Sequence, residues 1–240
     1  MTQSLPQPFE PVGEHLGIAL PGGRALFTTR RGGVSEGPYA SLNLGRWTDD
    51  DPRAVEENRR RAAVLAGFSL ADVVQGRQVH SSRVERVAAR PGPPRDADGQ
   101  ATAARDLAVL VLAADCLPNA LIAPGAVAMI HAGWRGLAAG VVEEGVAAIR
   151  KLAGEAPLSA AIGPAAGPCC YEVGPEVRAA LGTSGPTLDL PGLARARLEA
   201  AGADVQDVGL CTICSDPALF FSHRRDGGVT GRQAGIAWRT

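Results

Sequence analysis

Three residues of types that ligate metals stand in otherwise apolar or glycine-rich segments of this chain. They are His80 in GRQVHSS, Cys116 in LAADCLPN and His131 in AMIHAGWRG. One thiolate and two imidazoles are the number and kind of ligands that a catalytic zinc takes from protein while a fourth position stays open for water or substrate. Taken singly, a cysteine is usually a small packing residue and a lone histidine a hydrogen-bonded one. The set therefore predicts an open metal site, with packing as the alternative.

Composition narrows the classes of partner. The chain has 240 residues, of which 45% are apolar, and this favours a single domain spanning 1–240. It carries 24 basic and 25 acidic residues without a long run of either sign, which argues against a nucleic-acid partner and for a small molecule. The apolar run 107–114 is too short to span a bilayer, and the segment MTQSLPQPFEPVGEH has no signal-peptide core. We therefore expect a soluble, cytoplasmic protein without a membrane partner.

Sequence patterns predict strands and helices mixed along the chain. Asp51, Pro52 and Gly67 mark the start and end of a first helix whose arginines we expect to face solvent. The runs LAVLVLAA (107–114) and VAMI (127–130) are typical of strands covered on both faces. Further helices are predicted near 137–153, 173–182 and 191–201, and loops at 91–94 and 163–168. The expected fold is α/β (α+β), a single layered domain in which helices pack on a mixed β-sheet.

The predicted strands suggest how the three ligands meet. Cys116 and His131 are expected just past strand ends, where open α/β sheets usually build their sites. His80 closes the extended segment VVQGRQVH. Because side chains alternate along a strand, Gln78 and His80 should share one face while Val79 packs in the core.

Seven segments occur together, in order, over nearly the whole chain: TRRGGVSEGPYASLNLG (29–45), QVH (78–80), DADGQAT (96–102), LAADCLP (112–118), HAGWRGLAAGV (131–141), IGPAAGPCCYEVGPEV (162–177) and FFSHRRDGGVTGRQ (220–233). With these segments the chain closely resembles the bacterial laccase-domain family, also called the multicopper polyphenol oxidase or purine nucleoside phosphorylase family. Its members include a peptidoglycan editing factor.

The resemblance implies a zinc site made by His80, Cys116 and His131. It also implies phosphorolysis of adenosine, inosine, guanosine and methylthioadenosine, and deamination of adenosine, with a purine nucleoside and phosphate as the small-molecule partners. The older family name implies a polyphenol oxidase that uses Cu²⁺, and a Cys-His-His set can bind copper. A laccase, however, needs several copper centres, and this chain has only four histidines, one of them His15 in the Pro-rich N-terminal segment.

The two nucleoside reactions need different additional residues. For deamination, a metal would lower the pKa of a water that attacks C6 of the purine, and a proton shuttle is still required. The chain lacks the HxE and PCxxC arrangement of the zinc nucleobase deaminases. Asp115 and Asp98 are candidates for proton transfer or for orienting a ligand imidazole, with turn formation as the alternative.

Phosphorolysis requires a phosphate-binding site, which arginines beside glycines can form. The candidates are Arg30 (with Arg31), Arg225 and above all Arg135, which follows His131 by four residues and precedes a helix. Ser41 and Asn43 could contact a ribose or base, or could belong to a structural loop. Surface ion pairing is the alternative for each arginine.

The five cysteines, an odd number, argue for reduced thiols or metal ligands rather than disulfides. Cys211 and Cys214 form a CxxC that lacks a second CxxC or HxxxH, so we interpret them as packing residues; a nucleophile at Cys169 or Cys170 is disfavoured. Cys116 with a nearby histidine could instead be the nucleophile of a cysteine-type amidohydrolase that edits a peptidoglycan precursor. A metal-binding or interaction protein with only weak incidental turnover is a third class. The sequence leaves the oligomeric state undetermined.

Overall fold

Strand β7 (Ala108–Ala113) is buried along its whole length because its two faces pack against different partners. The side chains of Val109 and Val111 join one apolar cluster, and those of Leu110 and Leu112 join another. This alternation accounts for the continuous apolar run in the sequence, since a strand covered on both faces has no polar side. The computed structural model describes residues 5–90 and 93–240.

The described residues form twelve strands and five α-helices. The strands are β1 (Glu10–Val12), β2 (His15–Leu20), β3 (Gly23–Phe27), β4 (Val73–Val74), β5 (Val84–Arg86), β6 (Gly99–Thr102), β7 (Ala108–Ala113), β8 (Leu117–Ala123), β9 (Ala126–Ala132), β10 (Leu158–Ile162), β11 (Ala203–Asp207) and β12 (Gln233–Arg239). The helices are α1 (Pro52–Leu65), α2 (Trp134–Ala138), α3 (Val141–Ala153), α4 (Pro175–Leu181) and α5 (Leu190–Ala200).

These strands make two mixed sheets. The first has the order β1-β2-β3-β12-β7-β4, antiparallel except for the parallel pair β7 and β4. The second has the order β11-β10-β8-β9-β6-β5, antiparallel in the middle with a parallel pair at each edge. Between β7 and β8 the chain crosses from the first sheet to the second.

The two sheets pack face to face, and helices cover their outer faces. Phe27 and Val109 of the first sheet and Ile122 and Met129 of the second belong to one buried cluster between the sheets. Helix α1 packs on the outside of the first sheet, while α3 and α5 pack on the outside of the second. The result is a four-layer arrangement of helix, sheet, sheet and helices. The predicted α/β class, with helices packed on mixed sheet, is thus confirmed. The structure has two such sheets where the sequence predicted one.

Helix α1 begins and ends as the sequence predicts, but its arginines do not all face solvent. The Asp51 side chain accepts a hydrogen bond from Arg53 N, Pro52 is the first helical residue, and Gly67 follows the helix with φ +83°. Arg59, however, is buried and donates to the carbonyl of Leu44 at 2.8 Å. The prediction of a fully solvated arginine face is therefore wrong at Arg59, which ties the helix to the preceding loop.

The remaining predicted elements are present with shifted bounds. Residues predicted as one helix at 137–153 form α2 and α3, which Gly140 separates with φ +89°. Helices α4 and α5 match the predictions near 173–182 and 191–201. The segment 163–168 is a loop as predicted, whereas part of the loop predicted at 91–94 lies outside the described residues. Across 5–90 and 93–240, no helix combines the length and apolar character needed to cross a bilayer.

The cluster between the sheets should dominate stability. Replacing Ile122, which is fully buried there, with alanine should lower the free energy of unfolding by roughly 2–4 kcal/mol, because a cavity replaces the lost methyl groups. Val64→Ala, at a helix position with 61% exposure, should change it by less than about 0.5 kcal/mol. Urea denaturation of both variants makes the comparison, and equal losses would contradict the assigned packing.

Candidate metal centre

Cys116 and His131 are neighbours because they lie at the same end of a β-hairpin. Strand β8 starts directly after Cys116 and pairs antiparallel with β9, so that Pro118 faces His131 and Leu117 faces Ala132. Cys116 lies just past the end of β7 and directly before β8, whereas His131 is the penultimate residue of β9. The expectation of a position past a strand end is therefore confirmed for Cys116 and wrong for His131. The chain reverses once between the two residues, which explains their spacing.

His80 reaches the same place from a loop. The backbone N–H groups of Val79, His80 and Ser81 donate to the carboxylate of Asp98 at 3.1, 3.0 and 2.7 Å, and the Ser81 hydroxyl donates at 2.8 Å. His80 has φ +59°, a left-handed conformation that a non-glycine residue rarely adopts without support. The Asp98 hydrogen bonds supply that support.

The strand predicted up to His80 is shorter than expected, and this changes which side chains face inward. Strand β4 ends at Val74, and Val79 is 46% exposed, so the prediction that Val79 packs in the core is wrong. Gln78 instead anchors the loop, because its side chain donates to Leu112 O at 2.7 Å and accepts from Leu112 N at 2.8 Å. This pairing imitates a strand contact with β7.

Asp98 also orients His131. Its carboxylate Oδ1 lies 2.9 Å from His131 Nδ1. Since a carboxylate can only accept, the proton lies on Nδ1 and Nε2 is the ring nitrogen left to bind a metal. Burial alone would raise the pKa of Asp98, but the hydrogen bonds from His131 and Ser81 outweigh it and lower the pKa to about 2. Asp98 is therefore an anion throughout the physiological pH range.

The donor atoms of His80, Cys116 and His131 all lie within 4.8 Å of one another. Cys116 Sγ is 3.9 Å from His80 Nε2, and the two imidazole rings lie edge to face with centroids 5.0 Å apart. Gly133 makes room for this set, because a Cβ there would lie 2.8 Å from Cys116 Sγ. Three soft-to-borderline donors converging on one point fit a zinc or copper ion with an open fourth position.

The electrostatics of the site favour a thiolate at Cys116 beside a protonated imidazole at His131. Burial by itself raises the pKa of Cys116, but the charge of His131 and hydrogen bonds from both imidazoles outweigh it and lower the pKa to about 6. Burial by itself lowers the pKa of His131, yet the charge of Cys116 and the bond to Asp98 raise it to about 9. At neutral pH the proton is thus on the imidazole.

Asp115 organises the loops beside Cys116. It adopts φ +87°, and its carboxylate accepts from the Thr212 hydroxyl and from the Arg224 backbone N–H, both at 2.7 Å. Both carboxylate oxygens are therefore engaged. Its sequence-predicted role in proton transfer competes with this positioning role.

A cavity of about 490 Å³ opens onto the three metal-capable residues. Cavities that bind small molecules commonly measure about 300–1,000 Å³. Three arginines, three aromatic residues and a third histidine contribute to its wall: Arg135, Arg224, Arg232, Trp47, Trp134, Tyr171 and His223. The wall thus combines cations suited to an anion with aromatic rings suited to a flat base.

The structure brings some of the sequence-predicted substrate residues to this cavity and not others. Arg135 lines it, with its guanidinium 4.2 Å from the ring of Trp134. Arg30, Ser41 and Arg225 are not among the lining residues and are engaged in structural hydrogen bonds: Arg30 with Ala40 O, Ser41 with Arg30 O, and Arg225 with Thr212 O, Phe220 O and Asp226.

Asn43 is fully buried and acts from behind the wall. Its Oδ1 accepts from the backbone N–H groups of Gly45 and Arg232, and its Nδ2 donates to the Thr48 hydroxyl. These three partners line the cavity, so Asn43 positions residues of the wall and does not contact a ligand itself.

Sequence reasoning missed Arg224, Arg232 and His223 on this wall. Arg224 is the immediate neighbour of the predicted Arg225, and its guanidinium stacks 5.2 Å from the ring of Tyr171. His223 and Arg232 stand in the FFSHRRDGGVTGRQ segment, which had supplied only Arg225 as a candidate. The motif was informative, but the choice of arginine within it depends on the turn at 222–228.

Replacing Asp98 with asparagine should weaken metal binding about 10- to 100-fold, because the neutral amide no longer fixes the His131 tautomer and cannot accept all of its donors. Competition with a chromophoric chelator measures this affinity. Asp96→Asn is the matched control, since Asp96 pairs with Arg77 at the surface. Equal affinity in wild type and Asp98→Asn would contradict the orienting role.

Metal uptake at this site should release protons. Between pH 6 and 9 the free site holds one proton on His131, so apparent affinity should rise about tenfold per pH unit and level off above pH 9. Below pH 6 the slope should steepen as Cys116 also protonates. Calorimetric titration in buffers of different ionisation enthalpy, with His80→Ala as the blank, counts the protons. A flat profile would contradict the ion pair.

Comparisons with known proteins show the family of this chain. The family model described as multi-copper polyphenol oxidoreductase laccase matches residues 24–240. A Pseudomonas aeruginosa protein named purine nucleoside phosphorylase is 43% identical over 90% of this chain and 93% of its own, and a Corynebacterium glutamicum protein of that name is 39% identical over 90% and 94%. The crystal structure of YlmD from Geobacillus stearothermophilus superposes with a TM-score of 0.89 at 35% identity, covering 98% of this chain and 99% of that one. The chain therefore belongs to the multi-copper polyphenol oxidoreductase laccase family.

Proposed function

We propose that the protein is a zinc-dependent purine nucleoside phosphorylase that also deaminates adenosine. The observation that carries the proposal is that one cavity of about 490 Å³ is lined both by the His80, Cys116 and His131 group and by three arginines. The similar proteins named purine nucleoside phosphorylase support the substrate class, a nucleoside with phosphate. The three metal-capable residues alone would not account for binding of the second substrate, phosphate; the arginines do.

The arginines supply an anion site. Arg135 is exposed and, among the described residues, its guanidinium donates no hydrogen bond to protein. One guanidinium nitrogen of Arg224 donates to Glu172 O, and one of Arg232 donates to Thr230 O and Gly231 O. Both side chains therefore have other N–H groups that can donate to a ligand. Guanidinium forks match phosphate oxygens. We assign phosphate to these three residues, which would hold its attacking oxygen toward the ribose.

The aromatic residues supply the base site. Trp47 is 61% exposed, which is unusual for so large an apolar side chain without a partner. Trp134 and Tyr171 also line the cavity, each with an arginine over one ring face, and purines stack on aromatic rings. His223 faces the same cavity and is our candidate for donating a proton to the departing base.

His80, Cys116 and His131 would hold the zinc ion, with Asp98 fixing the His131 ring. When bound, zinc supplies Lewis acidity at its open position. The residues that would hold zinc and the three arginines assigned to phosphate line the same cavity, so a bound nucleoside would lie within reach of both groups. Copper fits the three donors chemically. Among the described residues, however, this is the only metal-capable group that contains histidine. His15 is buried, and its Nδ1 accepts a hydrogen bond from Thr29 N. This ligand supply favours one ion and disfavours a multicopper oxidase.

A second candidate function is favoured by a specific observation. Cys116, His131 and Asp98 form a thiolate, imidazolium and carboxylate series, which is the arrangement of a cysteine hydrolase. In that case the peptidoglycan precursor would be cleaved by Cys116 without metal.

The decisive assay supplies adenosine with and without phosphate to protein of known metal content. Phosphorolysis should yield adenine only with phosphate, and deamination should yield inosine without it. Removal of the metal by a chelator, or Cys116→Ala, should lower both activities by at least about 10³-fold, and zinc should restore the chelated wild type. Full activity in metal-free protein that still depends on Cys116 would overturn the metal proposal and favour the hydrolase.

The phosphate assignment is tested separately. Arg135→Gln, Arg224→Gln and Arg232→Gln should each raise KM for phosphate about tenfold or more while leaving KM for adenosine within about threefold, since each removes a charge-assisted hydrogen bond. Arg105→Gln, at an exposed position outside the cavity, is the control. An unchanged KM for phosphate in all three variants would contradict the assignment.

A further inference from the structure

A second cluster of metal-capable residues lies outside the cavity wall. Cys169, Cys170, Cys211 and Cys214 place their four sulfurs within 4.8 Å of one another, and none of them forms a disulfide. The interpretation of Cys211 and Cys214 as packing residues is wrong for Cys214, which is exposed, and Cys211 is only partly covered. Exposed thiols that gather in a group call for a different explanation than packing.

The fold brings the two cysteine pairs together through a parallel strand pair. Strands β10 and β11 run side by side, so the loops that leave their carboxyl ends start as neighbours. Ala165 and Cys211 continue this pairing as a parallel bridge, with hydrogen bonds from Ala165 N to Leu210 O at 3.2 Å and from Thr212 N to Ala165 O at 3.0 Å. The second half of the site, which the CxxC lacked in the sequence, is therefore the adjacent pair Cys169 and Cys170.

The sulfur geometry fits one ion. The Cys169 and Cys214 sulfurs are 2.9 Å apart, those of Cys170 and Cys211 3.5 Å, and those of Cys169 and Cys170 3.6 Å. Around tetrahedral zinc with Zn–S bonds of about 2.3 Å, neighbouring sulfurs are about 3.8 Å apart. Small outward shifts of exposed side chains satisfy this distance. An iron–sulfur cluster carries its thiolates on different iron atoms and needs a wider set.

Two further contacts suit a thiolate site. The backbone N–H of Gly167 donates to Cys211 Sγ at 3.3 Å, which stabilises negative charge on that sulfur. Cys169 and Cys214 are exposed, which gives an ion a path from solvent. The hydrogen bond from Gly167 therefore fixes Cys211 on the inner side of the group, while Cys169 and Cys214 remain accessible to solvent on the outer side.

We propose that Cys169, Cys170, Cys211 and Cys214 bind a structural zinc ion, separate from the ion at His80, Cys116 and His131. Each thiol gives up its proton to solvent as it ligates, and no oxidant is involved. Four protein ligands close the coordination sphere, so this ion has no open position and holds structure only.

The position of this ion explains what it would stabilise. Tyr171, directly after Cys170, lines the cavity, and Thr212, directly after Cys211, donates its hydroxyl to Asp115 beside Cys116. The four-cysteine site therefore clamps two loops that hold the cavity wall. Its loss should loosen the wall without removing any residue that contacts the substrates.

Metal counting separates the two sites. Elemental analysis of protein purified under reducing conditions should give two zinc ions per chain in the wild type, one in Cys211→Ser/Cys214→Ser, and one in His80→Ala/His131→Ala. X-ray absorption of the last variant should show a zinc shell of four sulfurs. This readout is independent of nucleoside turnover, so it stands even if the proposed activity fails.

Other outcomes would overturn the proposal. One zinc per chain in the wild type, unchanged in Cys211→Ser/Cys214→Ser, would exclude the second ion. A disulfide between Cys169 and Cys214 that persists under the reducing conditions, found by mass spectrometry of peptides, would do the same. If that double variant fails to fold, Cys169→Ser/Cys214→Ser serves, because both of these side chains are exposed and the two cysteines that remain are too few to retain the ion.

Discussion

One buried carboxylate, Asp98, fixes the geometry on which the site depends. A fully buried anion costs several kcal/mol unless charged or hydrogen-bonding partners surround it. Asp98 obtains them from the backbone of 79–81, from the Ser81 hydroxyl and from His131. Because the same carboxylate needs both sets of donors, the His80 loop and the His131 strand are held at a set distance before any ion arrives. The left-handed conformation of His80 is a consequence of this requirement.

The double sheet determines why the site forms where it does. Residues 114–116 carry the chain from the first sheet to the second, and Cys116 stands at the end of this crossing. A crossing segment cannot pair all of its backbone groups within either sheet, and the carbonyl of Asp115 accepts instead from Ala166 N at 2.8 Å. The Asp115 side chain accepts from Thr212 and Arg224, so two distant loops are held at the crossing. The cavity wall is therefore assembled by the same contacts that complete the fold.

The sequence predicted what depends on residue type and local period, and it failed where distant segments decide. His80, Cys116, His131 and Arg135 could be predicted as site residues from their side-chain chemistry, and all four line one cavity. The apolar runs likewise predicted buried strands. The continuous apolar run of β7 indicates that both faces of the strand are covered, but it cannot show whether a helix or a second sheet covers each face. Arg224 and Arg225 are equivalent in type, and only the turn at 222–228 sends one to the cavity and the other inward. The four-cysteine group depends on the register of β10 and β11, which no local pattern contains.

His80 bears most directly on whether Cys116 is a ligand or a nucleophile. A cysteine hydrolase needs one imidazole as base and one group to orient it, and His131 with Asp98 already fills both roles. A second imidazole 3.9 Å from the same sulfur has no task in that mechanism. The structure nevertheless holds the His80 backbone in a rare conformation by three backbone hydrogen bonds to a buried carboxylate, and strain of this kind persists where function requires the geometry. A metal ion needs that third donor. The position of His80 is thus the strongest structural argument that the thiolate binds metal and does not attack substrate.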